Sequence, residues 1–185
     1  LGAALALLAC GSKDERTAVV QNQDPRELCA SNVMTGNGIG DLAVGTPVDS
    51  VTQLCRVIRD TVELDNEAMP SRVLFVLVGS DTVKAEINSG KVWRIQIATQ
   101  EPRTVDSLGV GTALSRMLEL RQPKGWWGEG AIFLVSPQHC GLSFELSAKS
   151  SDVPPGDLDY DDLSRLPNAT VVRRVLIVGC GRTGT

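Results

Sequence analysis

The distribution of apolar residues along the chain predicts a protein rich in β-strands. One run, 72–78, is continuously apolar after Arg72 and is typical of a central strand. In 91–99, Trp93, Ile95 and Ile97 alternate with Arg94 and Gln96, so we expect the first three on one buried face. Ranges with a strand pattern are 57–64, 72–78, 82–87, 91–99, 131–135, 141–148 and 170–178.

Two segments, 42–54 and 108–120, match each other at a constant spacing. In each, a short extended stretch reaches a glycine that permits a sharp turn, and Thr46 or Thr112 then caps a helix with apolar residues three apart. Pro47 suits the first helical position. The alternative is two unrelated helices. The matched pairs are Leu42 and Leu108, Val44 and Val110, Gly45 and Gly111, Thr46 and Thr112, Val48 and Leu114, Val51 and Met117, and Leu54 and Leu120.

A short helix followed by a meander of strands, twice, predicts the α+β class. We expect a mainly antiparallel sheet with one layer of short helices, built from two α-β-meander repeats at about 38–99 and 104–180. A single domain over 24–185 contains both halves, and a helical turn starts at Asp24 and Pro25. The glycine-rich stretch 35–40 is predicted to be a loop.

The first ten residues resemble the end of a bacterial lipoprotein signal peptide. Leu7, Ala9 and Cys10 fit its cleavage motif, so residues 1–9 form a signal-peptide remnant and Cys10 carries the lipid. The polar stretch 10–23 contains the lipidated cysteine and a flexible tether. The alternatives are a buried apolar segment or a fragment of a membrane helix, although nine residues cannot span a bilayer. Gly11 is not the aspartate that retains lipoproteins in the inner membrane, so the resemblance implies the periplasmic face of the outer membrane.

With the glycine-threonine turns at Gly45 and Gly111, this lipoprotein pattern resembles the SmpA/OmlA (BamE) envelope lipoproteins and the β-lactamase-inhibitor-protein-like tandem repeat. The match covers about seventeen residues per copy. The family motif more often has methionine where Thr46 and Thr112 stand, and its closing glycine-proline pair is absent here. The resemblance implies binding to envelope protein partners rather than catalysis.

Composition narrows the function further. The chain has 185 residues, a net charge of -4, 42% hydrophobic residues and one histidine. A disordered chain has fewer aliphatic residues, and a nucleic-acid-binding protein is usually basic, so neither class is favoured. Because the chain has a single histidine, most catalytic and metal-binding sites that need two or more histidines are excluded.

Four cysteines, Cys29, Cys55, Cys140 and Cys180, remain after Cys10 is assigned to the lipid anchor. An even number in the oxidising periplasm predicts two disulfides. Four cysteines allow three connectivities; we favour Cys29 with Cys55 and Cys140 with Cys180 because each pair stays within one half of the chain. Zinc is not favoured because no CxxC motif occurs.

Two strings imitate ligand-binding motifs. Gly179 to Gly184 spells G-x-G-x-x-G, but a dinucleotide site also needs a following helix and an acidic residue about twenty positions later, so no dinucleotide or other cofactor is predicted. The aspartates of 157–162 start like a calcium loop but lack its glycine and its glutamate, which leaves a solvated loop with weak calcium binding as the alternative. Asp161 or Asp162 is predicted to cap a helical turn there.

A hydrolase is an alternative function, in which His139 would act in catalysis with Ser136 or a nearby carboxylate. Both residues lie in a predicted hairpin turn without a nucleophile motif, so we expect an exposed turn histidine and a protein that is not an enzyme.

Adjacent tryptophans, Trp126 and Trp127, are the best binding candidates. Neighbours in an extended chain point to opposite sides, so one is expected in the core and the other on the surface as an anchor for a partner; alternatively, both pack. The sequence predicts a membrane-anchored, non-catalytic protein-interaction module, with a small-ligand or glycan-binding lipoprotein and a periplasmic hydrolase as alternatives.

Overall fold

The computed structural model describes residues 29–64, 68–153 and 156–181. The signal-peptide remnant 1–9, the lipidation site Cys10, the tether 10–23 and the turn at Asp24 lie outside these residues.

Strands dominate the fold, which confirms the α+β class and the mainly antiparallel sheet. A small sheet contains β1 (Met34–Thr35), β2 (Gly38–Ile39) and β3 (Leu42–Ala43). The main sheet contains β4 (Arg56–Leu64), β5 (Pro70–Val78), β6 (Asp81–Asn88), β7 (Lys91–Ile97), β8 (Lys124–Gly128), β9 (Ala131–Val135), β10 (Leu142–Leu146), β11 (Asp157–Leu158) and β12 (Val172–Ile177). The helices are α1 (Val48–Leu54), α2 (Leu114–Leu118) and α3 (Tyr160–Ser164), with 3-10 turns at Pro137–His139 and Ser150–Asp152.

All neighbouring strands of the main sheet pair antiparallel, in the order β11-β8-β9-β10-β12-β7-β6-β5-β4. Residues of α1, α2 and α3 pack with alternate strand residues in one large buried cluster, in which Val51, Met117 and Leu163 are 0% exposed. The helices thus cover one face of the sheet.

The expected burial of Trp93 is wrong because a bulge interrupts β7. Glu86 pairs with Arg94 whereas Ile87 pairs with Val92, which leaves Trp93 as an extra residue. The bulge puts Val92 rather than Trp93 in the core beside Ile95, and the Trp93 side chain is 37% exposed.

The predicted loop at 35–40 is also wrong, since this stretch contains paired strands. Met34 pairs with Ile39, both are buried, and the Thr35 hydroxyl donates to the Gly38 carbonyl at 3.2 Å. Gly38 has no side chain, so its Cα fits against β3, where a Cβ would lie 2.3 Å from the Leu42 carbonyl oxygen. The glycine allows close strand pairing here instead of preventing it.

The predicted helix caps need correction. Pro47 and Ala113, rather than Thr46 and Thr112, are the N-caps of α1 and α2, and neither makes a side-chain capping bond. Both caps are extended, and each forms an isolated bridge, Pro47 with Lys91 and Ala113 with Val171.

The cap of α3 also differs from the prediction. Asp159 is the N-cap and accepts from the Asp162 backbone N–H at 3.0 Å, while the Asp162 carboxylate accepts in return from the Asp159 N–H at 3.3 Å. This reciprocal capping box starts the helix two or three residues earlier than the prediction that Asp161 or Asp162 is the cap.

Both favoured disulfides are confirmed. Cys29 bonds to Cys55 and Cys140 bonds to Cys180, with Cα–Cα distances of 5.3 and 5.2 Å. The first joins residue 29 to the C-terminal end of α1, and the second joins the turn before β10 to the segment after β12.

Candidate functional site

The main sheet has a second face, opposite the helices, on which the described residues place strand side chains and a small apolar cluster. We call it the open face. The members of this cluster, Ala131, Phe133 and Leu176, all come from strands, and Val73, which pairs opposite Glu86, is also buried on this face. The open face is defined by Lys84, Glu86, Arg94, Gln96, Trp126, Phe133, Glu145, Arg174 and Leu176.

Paired charges occupy the middle of the open face. Glu86 is only 5% exposed, and its carboxylate accepts from Arg94 Nε at 2.8 Å and from Gln96 Nε2. Arg94 Nη1 reaches Glu129 at 2.9 Å. Burial alone lowers the pKa of Arg94, but the carboxylates of Glu86 and Glu129 outweigh it and raise that pKa. Arg94 is therefore a fixed cation held between two anions.

A second buried carboxylate extends this network across the centre of the sheet. Glu145 is 1% exposed and binds the guanidinium groups of Arg173 and Arg174. Arg174 Nη1 also donates to Gln96 Oε1 at 3.0 Å. Gln96 contacts both Glu86 and Arg174, so the two halves of the sheet share one hydrogen-bonded network.

Sequence patterns gave no direct indication of this network. Glu86 and Glu145 do interrupt apolar strands, and that was a usable signal, because a buried charge needs a partner. The partners stand on neighbouring strands, which a single sequence does not identify.

Trp126 packs on the open face, and Trp127 lies on the other side of β8. The Trp126 ring stacks on Phe133 with centroids 4.5 Å apart and an interplanar angle of 16°. It also covers Gly128, where a Cβ would lie 2.0 Å from a ring carbon. Trp127 is 41% exposed. Trp126 is half-buried against the small apolar cluster rather than in the core, so the expected entry of one tryptophan into the core is not seen, while the role of either residue in binding stays a prediction.

Separate alanine substitutions are expected to distinguish the two tryptophans. Trp126→Ala removes the stack on Phe133 and should lower the free energy of unfolding by about 2 to 3 kcal/mol, below the loss for a fully buried tryptophan. Trp127→Ala should change it by about 0.5 kcal/mol, the usual range for a surface position. Urea denaturation followed by circular dichroism measures both, and equal losses would contradict the arrangement.

His139 is not the exposed turn residue that the sequence predicts, because its side chain is 10% exposed. Its Nε2 lies 3.0 Å from Asp106 Oδ2, and Asp106 Oδ1 accepts from the Thr104 hydroxyl at 2.6 Å. Burial by itself raises the pKa of Asp106, but the Thr104 hydroxyl and the His139 imidazole outweigh it and lower that pKa. The loop before α2 supplies Asp106, a partner that the local turn pattern around His139 could not predict.

Of the two catalytic partners considered for His139, Ser136 or a nearby carboxylate, the structure places a carboxylate, Asp106, beside the imidazole. The Ser136 hydroxyl donates to the Arg121 carbonyl at 2.7 Å and accepts from the Gln138 N–H at 3.3 Å. A cavity of about 420 Å³ adjoins His139, Asp106 and Thr104. The imidazole is bonded to a carboxylate rather than to the Ser136 hydroxyl, and the hydrolase alternative stays a prediction.

Of the two motif-like strings, the acidic run 157–162 lies wholly within the described residues and the G-x-G-x-x-G string only in part. In the acidic run, Asp159 and Asp162 are engaged in capping α3. In the part of the chain that the structure describes, no three His, Cys, Asp or Glu side chains come together as a metal-binding group. Of the G-x-G-x-x-G string, Gly179 and Gly181 follow β12 with φ of 89° and 80°, and residues 182–185 lie outside the described part.

Within residues 29–64, 68–153 and 156–181, no helix combines the length and the apolar character needed to cross a membrane.

Comparison with solved structures shows a likeness in fold. No family model and no curated protein matches the chain. The crystal structure of the uncharacterized protein YfeY from Escherichia coli is similar to this chain with a TM-score of 0.56 and 15% sequence identity. The match covers 79% of this chain and 99% of that one. At this identity the likeness concerns the fold alone.

Proposed function

We propose that the protein is a non-catalytic interaction module of the cell envelope that binds a protein partner through its open face. The observation that carries this proposal is a sheet face with fixed charges and a stacked tryptophan, which none of the described helices covers. Such a face offers a broad surface to a partner.

The physical argument rests on preorganisation. Arg94, Arg174 and Trp126 belong to residue types that dominate binding energy in protein interfaces. Their positions are already fixed by Glu86, Glu145 and Phe133, so little side-chain entropy remains to be lost on binding. Alternating cations and anions favour a partner with the complementary pattern.

The membrane anchor belongs to the same proposal. Lipidation of Cys10 and a tether over 10–23 would hold the domain near the periplasmic face of the outer membrane, where its partners would be envelope proteins. A radiolabelled palmitate should be incorporated into the wild-type precursor and not into the Cys10→Ser variant. Equal labelling of the two would overturn the anchor.

A tandem repeat is the finer architecture that we propose. The N–H of Gly45 donates to the Val92 carbonyl at 2.6 Å, and the N–H of Gly111 donates to the Val172 carbonyl at 2.7 Å. Both glycines have similar φ, 94° and 88°. The strands after α1 and those after α2 form two meanders that meet where β7 pairs with β12. These correspondences support two α-β-meander repeats of the SmpA/OmlA (BamE) or β-lactamase-inhibitor-protein-like kind.

Photo-crosslinking in intact envelopes tests the interaction surface. Ser71 lines a cavity of about 110 Å³ on the open face with Glu86 and Arg94, so a photoreactive amino acid placed there should give a discrete adduct. Gln53 is exposed on α1, on the opposite side, and is the matched control. The adduct from position 71 should disappear when Arg94→Glu is added. Identical adducts from both positions, or none from position 71, would overturn the proposal.

Binding of glycans is the second candidate, favoured by the 41% exposure of Trp127. An exposed tryptophan ring can stack on a sugar. Peptidoglycan fragments should then quench tryptophan fluorescence saturably in the wild type and not in Trp127→Ala. Unsaturable quenching, or quenching that survives the substitution, would exclude this candidate.

A further inference from the structure

A long strand, β4 (Arg56–Leu64), forms one edge of the main sheet. It is nine residues long, whereas β11 at the other end of the strand order has two residues. Among the described residues, the backbone of β4 pairs with β5 alone. Alternate residues of an edge strand direct their N–H and C=O groups away from the sheet, so β4 offers a ladder to a further strand.

Apolar side chains on β4 favour such a partner. In the part of the chain that the structure describes, six large apolar side chains are more than half exposed, and three of them, Ile58, Val62 and Leu64, belong to β4. Exposed apolar positions on a long edge strand promote association with another strand, whereas charges usually oppose it. β4 also carries charges, so the way in which they meet a partner decides which partner fits.

The pairing with β5 fixes which side chains of β4 share a face. A bulge lies between Val57 and Arg59, so residues 59–64 form the regular part of the strand. Within it, Thr61 stands opposite Val73, which is buried on the open face. The alternate residues Arg59, Thr61 and Glu63 therefore point to the open face.

We infer that two copies of this chain pair antiparallel through β4, with Thr61 on the two-fold axis. Arg59 of each copy then stands directly opposite Glu63 of the other, so opposite charges face each other twice. A register centred on Asp60 or on Arg59 would instead put two like charges opposite each other, and one centred on Val62 opposes no charges within 60–64. Charge complementarity thus selects the register and identifies a second copy as the occupant.

Pairing in this register completes contacts that each chain already begins. Within one chain, Arg59 Nη2 lies 3.4 Å from Glu63 Oε1, and Lys84 Nζ lies 2.8 Å from Glu63 Oε2. The second copy closes the exposed Arg59 and Glu63 pairs into a ring of four alternating charges around the two Thr61 side chains. On the other face, the two Val62 side chains become diagonal neighbours, a separation at which side chains interact.

The symmetry of this dimer also places the open faces. A two-fold axis perpendicular to the sheet keeps each face on its own side, so one continuous sheet presents two open faces side by side. Ser71 stands opposite Glu63, next to this edge. A crosslinked adduct from position 71 with the mass of two chains would therefore come from the dimer, and an adduct of another mass from a partner of the open face.

Sedimentation equilibrium of the purified full chain tests the dimer, with Cys10→Ser to remove the predicted lipid site and with both disulfides intact. We expect a dimer with a Kd on the order of 10 µM, since one strand pair buries an area at the low end for protein interfaces. Arg59→Glu and Glu63→Arg, made separately, each place like charges opposite each other and should weaken association about tenfold or more. The double variant restores opposite charges and should regain most of the lost affinity.

Controls separate this register from general charge effects and from misfolding. Arg116→Glu changes the net charge as Arg59→Glu does, at an exposed site on α2, and should leave the Kd unchanged. Circular dichroism checks that each variant is folded. In an otherwise unchanged chain, Thr61→Cys puts two thiols on the axis with Cβ atoms about 5 Å apart, so oxidation should give a covalent dimer, whereas Thr52→Cys on α1 should not.

Several results would overturn the inference. They are a chain still monomeric at about 1 mM, a hundred times the expected Kd, a double variant no tighter than the folded single variants, and no covalent dimer from Thr61→Cys. A monomeric chain that captures an extended peptide along β4 would assign this edge to that peptide instead.

Discussion

Replacing Arg173 and Arg174 together with methionine is expected to lower the free energy of unfolding by about 3 to 5 kcal/mol. Both guanidinium groups bind Glu145, whose side chain is 1% exposed. Removing them leaves the carboxylate buried without either cation, and the loss of its compensation exceeds the loss of the attraction itself. Chemical denaturation of the double variant and the wild type measures the difference.

A third substitution separates the burial of charge from the loss of packing. Adding Glu145→Leu to the double variant removes the uncompensated carboxylate and should restore most of the lost stability, because apolar replacements of buried ion pairs are often neutral. The control is Arg116→Met with Arg165→Met, since these arginines form ion pairs at exposed positions on short helices. That control should cost about 1 kcal/mol or less. A triple variant no more stable than the double would show that the carboxylate charge is not the cause.

The sequence predicted the strands well because each carries its pattern locally. The run 72–78, apolar after Arg72, lies within β5, and the long stretch 57–64 lies within β4. The disulfide pairing was also predictable, because short separations within each half favoured one connectivity out of three.

Features that depend on strand register were not predictable. The bulge that exposes Trp93 arises because β6 and β7 are out of step at Glu86 and Ile87, a relation between two strands rather than a property of either. A second shift beside Glu145 lets both Arg173 and Arg174 reach its carboxylate. The charge network of the open face could therefore be identified only from the three-dimensional structure.

The burial of single side chains was also predicted wrongly where it depends on residues distant in the sequence. His139 lies in the 3-10 turn of Pro137–His139, as its neighbours suggest, but Asp106 from a distant loop draws it into a nearly buried position. Local context predicts the backbone of such a residue better than the environment of its side chain.

Gly141→Ala is expected to lower the free energy of unfolding by about 3 kcal/mol or more, from a clash added to a strained backbone. Gly141 has φ of 77°, and a Cβ there would lie 2.2 Å from the Gly36 carbonyl oxygen and 2.7 Å from the Cys180 nitrogen. Both are backbone atoms that cannot rotate away. The disulfide between Cys140 and Cys180 further limits how far the chain can shift.

Gly90→Ala isolates the two contributions. Gly90 has almost the same φ, 75°, but a Cβ there meets nothing within 4 Å, so the backbone conformation alone should cost about 1 to 2 kcal/mol. The difference between the two variants in urea denaturation, with the disulfides intact, measures the clash at Gly141. If both lost the same amount, the segments of Gly36 and Cys180 would not be packed against Gly141 in solution, and the fixed junction between the small sheet and the end of β12 would be wrong.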